Sequence, residues 1–70
     1  MVFHKRTKFK PNDRIRLKRR LVSRNGYRLY KGRPGVVVMH YQQGIYQVSF
    51  ARRDDDPFID YIHARDMEGM

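Results

Sequence analysis

The sequence predicts a small all-β domain of about five strands, and three observations lead there. Two short apolar runs, Val36–Tyr41 and Ile45–Phe50, are rich in β-branched and aromatic residues and are separated only by Gln42-Gln43-Gly44. Two further segments, Arg14–Lys18 and Phe58–His63, alternate with the period of two that gives a strand two different faces. Clusters of Pro, Gly, Asn and Asp stand between these runs and punctuate them as turns.

Residues 1–8 sustain no period of 2 or 3.6 and read as a basic flexible arm, with Phe9 tucked against a domain that occupies residues 9–70. Pro11-Asn12-Asp13 is turn chemistry, since Pro presets φ and Asn or Asp side chains close on the backbone. In Arg14-Ile15-Arg16-Leu17-Lys18 the two aliphatics face one side and the three cations the other, a half-buried strand with a ladder of positive charge on its wet face. Arg19–Lys31 is a long connection in which Asn25-Gly26 signals a hairpin-like excursion, Arg24 and Arg28 lying at its tip. A helix is the competing reading, and Asn-Gly in its middle would cost it about 1 kcal/mol.

Gly32-Arg33-Pro34-Gly35 stops that excursion and turns the chain into the Val36–Phe50 hairpin. Val36–Tyr41 is apolar on both faces, as expected of a central strand covered on each side by other strands or by a partner. Ile45–Phe50 alternates, with Tyr46, Val48 and Phe50 on one face. Ala51–Pro57 is an exposed acidic loop. Its Asp54-Asp55-Asp56 lacks the glycine and distal glutamate of a calcium loop and partly neutralises neighbouring arginines. Phe58, Asp60 and Ile62 share one face of the next strand and Ile59, Tyr61 and His63 the other. Ala64–Met67 suits a single 3-10 turn, and Glu68-Gly69-Met70 a last short edge strand.

Composition narrows the function classes. Seventy residues make one small domain, whose core supplies about 3–5 kcal/mol. There is no cysteine, so disulfides and thiolate metal sites are excluded, and a reducing, cytoplasmic setting is expected. No apolar run reaches membrane-spanning length and no secretory signal opens the chain. His4, His40 and His63 share no metal-ligand spacing, Ser23 and Ser49 lie in no nucleophile motif, and no cofactor is expected. The net charge of +9 is segregated: residues 1–36 hold thirteen Lys or Arg against one acid, residues 37–70 three Arg against six acids. Such asymmetry points to a polyanionic partner, nucleic acid first.

Short strands, a long first loop, a tight central hairpin and a 3-10 turn before the last strand describe an SH3-like barrel. Phe9-Lys10-Pro11-Asn12-Asp13-Arg14-Ile15 resembles the hydrophobic-x-x-Gly-Asp-x-Val start of many such domains, with Asn12 where glycine is usual. Tyr30-Lys31-Gly32-Arg33-Pro34-Gly35-Val36-Val37-Val38 is similar to the KOW motif of ribosomal proteins and transcription elongation factors, in which a basic-Gly-basic-x-Gly turn feeds an apolar strand. Tyr61–Glu68 resembles the x-V-x-x-x-x-L-E closure of the same barrels. The resemblance implies a module working on RNA, DNA, ribosomes or RNA polymerase. The peptide-binding SH3 groove needs a tryptophan and an acidic first loop, and this chain has neither. Ile59-Asp60-Tyr61-Ile62 only loosely resembles the Val-Gln-Ile-Tyr strand of small plasmid-borne dihydrofolate reductases, and its glutamine is missing, so no enzyme is expected.

The expected function is therefore non-enzymatic nucleic-acid binding with modest sequence preference. Arg14, Arg16, Lys18, Arg19, Arg20, Arg24, Arg28, Lys31 and Arg33 are the candidate phosphate contacts, with Tyr27 and Tyr30 for stacking or sugar contact. The alternative is an accessory subunit whose basic face docks on an acidic protein. Homodimerisation through open edge strands is a further expectation for so small a sheet.

Overall fold

The computed structural model describes residues 8–23 and 26–70, so the expected arm lies outside the described residues but for Lys8. Within them the chain forms strands β1 (Arg14–Leu17), β2 (Leu21–Val22), β3 (Arg28–Leu29), β4 (Pro34–Gln42), β5 (Ile45–Phe50), β6 (Phe58–His63) and β7 (Met67–Gly69). A 3-10 turn, Ala64–Asp66, joins β6 to β7, and no helix is long and apolar enough to cross a membrane among the described residues. The all-β expectation holds.

Five strands make one antiparallel sheet in the order β6-β5-β4-β1-β7, while β2 and β3 pair separately as a short ribbon. β4, β5 and β6 follow one another as a meander, and β1 slots between β4 and the returning β7. The expected barrel is corrected here: β6 and β7 are the two edges of the main sheet and do not pair with each other, so it is not closed. Closure demands a staggered partner for every edge. β7 has three residues, all in register with β1, and β6 is matched along its whole length to β5.

The core lies on one face of this sheet. Ile15 and Leu17 of β1, Tyr46, Val48 and Phe50 of β5, and Phe58 and Ile62 of β6 are buried, as their alternation requires. Phe9 closes one end of the core, its ring edge-on to Tyr46 at 5.5 Å, and the Lys8 N–H donates to the Tyr46 hydroxyl at 2.7 Å. Leu29 and Met67 complete the core from β3 and β7. Asp60 is buried on the same face, its carboxylate accepting the Tyr61 N–H at 2.8 Å.

β4 departs from expectation. Only Gly35 and Val37 are buried along it, and the outer side of Val36–Tyr41 has no cover among the described residues. Its apolar run has another cause. Val37 opposes Val48 and Met39 opposes Gln47, then His40 opposes Tyr46 and Gln42 opposes Ile45, so Val38 and Tyr41 are extra residues in two bulges. A bulge resets the alternation of faces, which lets Val36, Val38 and Met39 all lie on the outer side. The hairpin closes through Gln43-Gly44, with Gly44 at φ 76°. Asn12 sits at φ 75°, the left-handed region that Asn tolerates better than other side chains. Its N–H donates to the Val37 carbonyl at 2.7 Å, tying the turn before β1 to β4.

Candidate nucleic-acid interface

The predicted cations separate into those held by the protein and those left to solvent. Arg19 is held: its Nε donates to Asp66 at 2.6 Å and a second nitrogen pairs with the same carboxylate oxygen, giving the buried Asp66 its counter-charge. Arg16 pairs with Glu68 on the neighbouring β7 at 3.2 Å, both side chains half exposed. Arg33 is held as well. Its guanidinium donates to the Ala51 carbonyl at 2.7 Å and stands 5.5–5.8 Å from the ring centres of Tyr30, Phe50 and Phe58. These contacts brace Arg33 across the core's rim.

Arg14, Lys18, Arg20, Arg28 and Lys31 are exposed and form no ion pair among the described residues. Backbone pairing gathers most of them at one corner. The Leu17 N–H donates to Arg33 O at 3.0 Å and the Gly32 N–H to Leu17 O at 2.8 Å, laying the Lys31-Gly32 turn beside the end of β1. The Lys18 N–H donates to Asp66 O at 2.8 Å, which brings the exposed Arg65 to the same corner. Lys18 thus lies one residue past β1, outside the charged ladder expected for that strand. Arg20 and Arg28 flank an open depression of about 220 Å³ lined by Leu21 and Val22 of the β2–β3 ribbon. Arg14 stands apart on the outer face of the main sheet, opposite Val36.

The excursion over Arg19–Lys31 is a ribbon, with Leu21 opposite Leu29 and Val22 opposite Arg28, and the helical alternative is set aside. Arg24 and Asn25 lie outside the described residues, and Arg28 belongs to β3 and not to the tip. Tyr27 is engaged by the protein: its ring lies 4.8 Å from Phe58, its hydroxyl accepts from Arg52 at 3.0 Å and its N–H donates to Ser23 at 2.9 Å. Tyr30 is exposed, with Arg33 near its ring.

Three of the acids are taken up in ion pairs among the described residues: Asp66 by Arg19, Glu68 by Arg16 and Asp55 by Arg52. In the acidic loop Asp55 pairs with Arg52 at 3.5 Å, and Arg52 also donates to the Asp56 backbone carbonyl at 2.7 Å. Among the described residues no cluster of His, Asp or Glu could hold a metal ion. Arg65 escaped the sequence reading because pairings distant in the chain bring it to β1, the Lys18–Asp66 backbone bond and the β1–β7 ladder that starts at Met67. Tyr41 escaped it because the bulge that makes it an extra residue of β4 leaves no mark on composition or period, and its ring's contact with Tyr61 across β5 is set by that pairing. Compared with known protein families, curated proteins and solved structures, the chain matches none.

Proposed function

We propose that this chain is a non-enzymatic nucleic-acid-binding module of the SH3-like, KOW-like kind. One observation carries the binding reading: Lys18, Arg20, Arg28, Lys31 and Arg65 are exposed and form no ion pair among the described residues, Lys18, Lys31 and Arg65 sharing one corner, while Asp66 and Glu68 beside the end of β1 are engaged by Arg19 and Arg16. Like charges held at one corner repel one another, and a phosphate chain laid across them relieves that repulsion and releases its own counterions. The fold reading draws support from Asn12 at positive φ where such domains place glycine, from Gly32 at φ 87° in the basic turn before β4, and from the 3-10 turn that precedes β7.

The test is fluorescence anisotropy of short single- and double-stranded RNA and DNA at two salt concentrations. With four or five phosphates neutralised, the log-log salt slope should lie at roughly −3 to −4.5. Combined Lys18→Gln, Arg20→Gln, Arg28→Gln and Lys31→Gln should abolish most of the binding and leave the melting temperature nearly unchanged, since surface charges without partners contribute little to stability. No binding at low salt, or binding indifferent to salt, removes the proposal. A stoichiometric acidic protein that stays bound after nuclease treatment would put protein docking in its place.

A further inference from the structure

The outer face of β4–β5–β6 has no place in the phosphate contacts just described, and it is uncommonly apolar for a sheet face that no element packs over among the described residues. Val38, Met39, Ile59 and the two tyrosines Tyr41 and Tyr61 are exposed there, with relative exposures of 53% for Tyr41 and 36% for Tyr61. A solvated sheet face ordinarily carries polar residues. Tyr41 is the extra residue of a bulge, and Met39, Gln47 and Tyr61 form one cross-strand row. The two tyrosine rings meet at 4.7 Å, tilted by 51°, spanning β5 from either side. Gln47 donates to the Tyr61 hydroxyl at 3.4 Å, a contact that orients the ring.

The cation placed on this face without an ion pair among the described residues is Arg14. Arg14 lies on it through its pairing with Val36, and Arg16 neutralises Glu68, the acid of the neighbouring β7. In the acidic loop Asp55 pairs with Arg52, and Asp60 points to the core side. An occupant that is apolar and aromatic in its flat parts and anionic along its length suits such a face, and a second copy of a +9 chain does not. Stacking of bases on aromatic rings, with a neighbouring cation holding phosphate, meets both conditions.

We infer that this face is a platform on which unpaired bases of a single strand stack, centred on Tyr41 and Tyr61, with Arg14 holding the strand's phosphate at its far end. The inference rests on the nucleic-acid reading above and adds to it a preference for single strands and a second contact surface.

The experiment measures anisotropy of labelled oligo-dT of about twelve nucleotides and of a duplex of the same length, with intact protein and with Tyr41→Ala, Tyr61→Ala and Tyr41→Phe. Oligo-dT should bind more tightly than the duplex, and each Tyr→Ala change should weaken it by roughly five- to a hundred-fold. Tyr41→Phe should retain most of the affinity, and the salt slope should stay as in the parent because no phosphate contact is lost. Circular dichroism melts of each variant check that the sheet is intact. If oligo-dT binds but both Tyr→Ala variants match the parent, the platform is refuted while the cationic corner stands. If neither nucleic acid binds at low salt, both readings fall. If sedimentation finds a parent dimer that Tyr41→Ala dissociates while oligo-dT affinity is unmoved, the face is a self-interface and the inference is overturned.

Discussion

Adding one methyl group at Gly35 sets two physical effects against each other. By conformational entropy alone, alanine in a strand is favoured over glycine by roughly 0.5–1 kcal/mol. Packing opposes it. A Cβ at Gly35 would stand 2.7 Å from Val48 Cγ1, 3.0 Å from Phe50 Cε1 and 3.2 Å from Phe50 Cδ1. Carbon atoms in contact settle at about 3.5–4.0 Å, so Val48 or the strand carrying it must retreat by close to an ångström. Neither neighbour has room: both are fully buried, Val48 is stiff at χ1, and Phe50 is stacked on Phe58 at 5.5 Å beneath the Arg33 guanidinium. Overpacking of this kind costs about 1–3 kcal/mol. Less the entropic gain the net loss is about 0.5–2.5 kcal/mol, and at this chain length each kcal/mol moves the midpoint by roughly 4–8 °C, so Gly35→Ala should melt about 2–20 °C below the parent. Thermal denaturation followed by far-UV circular dichroism reads this directly. Gly69→Ala is the control, because a Cβ there meets nothing within 4 Å. Adding Val48→Ala to Gly35→Ala should recover stability relative to the sum of the two single changes, a favourable coupling of about 0.5–3 kcal/mol. A Gly35→Ala protein as stable as the parent would refute the claim that the Val48 and Phe50 side chains pack this closely over the Gly35 backbone.

Asn12→Gly should leave stability unchanged or raise it, whereas Asn12→Ala should lower it by about 1 kcal/mol because its φ of 75° is strained for alanine, as a urea titration would register. Arg19→Gln should destabilise by roughly 1–2 kcal/mol, less than for a fully buried pair because Arg19 is largely exposed while its partner Asp66 is not. Arg33→Gln should cost about 1–2 kcal/mol through the lost Ala51 contact and ring contacts, with little change in oligonucleotide affinity. The reverse pattern in paired melts and anisotropy would restore Arg33 to the phosphate contacts.

Much of the fold was legible because alternation is a local property. Ile15 and Leu17, then Tyr46, Val48 and Phe50, then Phe58 and Ile62 announce a buried face by spacing alone, and each is buried. The turn before β1 was equally legible, since Asn12 is one of the few residue types suited to the backbone it adopts. β4 misled for a definite reason. A continuous apolar run reads the same whether a strand is covered on both faces or bulged so that neighbours share one face, and only pairing with β5 separates the two. The candidate site was legible as a class of charge and not as a surface: Arg19, Arg28 and Arg33 look alike along the chain and end in an ion pair, in solvent and over aromatic rings.

Composition and period settled the residues' inventory: an all-β chain, an excess of cations in its first half, and a core alternating out of β1, β5 and β6. Which cations remain available was settled by contacts distant in the chain, Arg19 meeting Asp66 and Arg33 reaching Ala51. An exposed arginine is free or engaged according to what the folded backbone brings within a few ångströms of its guanidinium, and that neighbourhood is written in strand register, not in residue order.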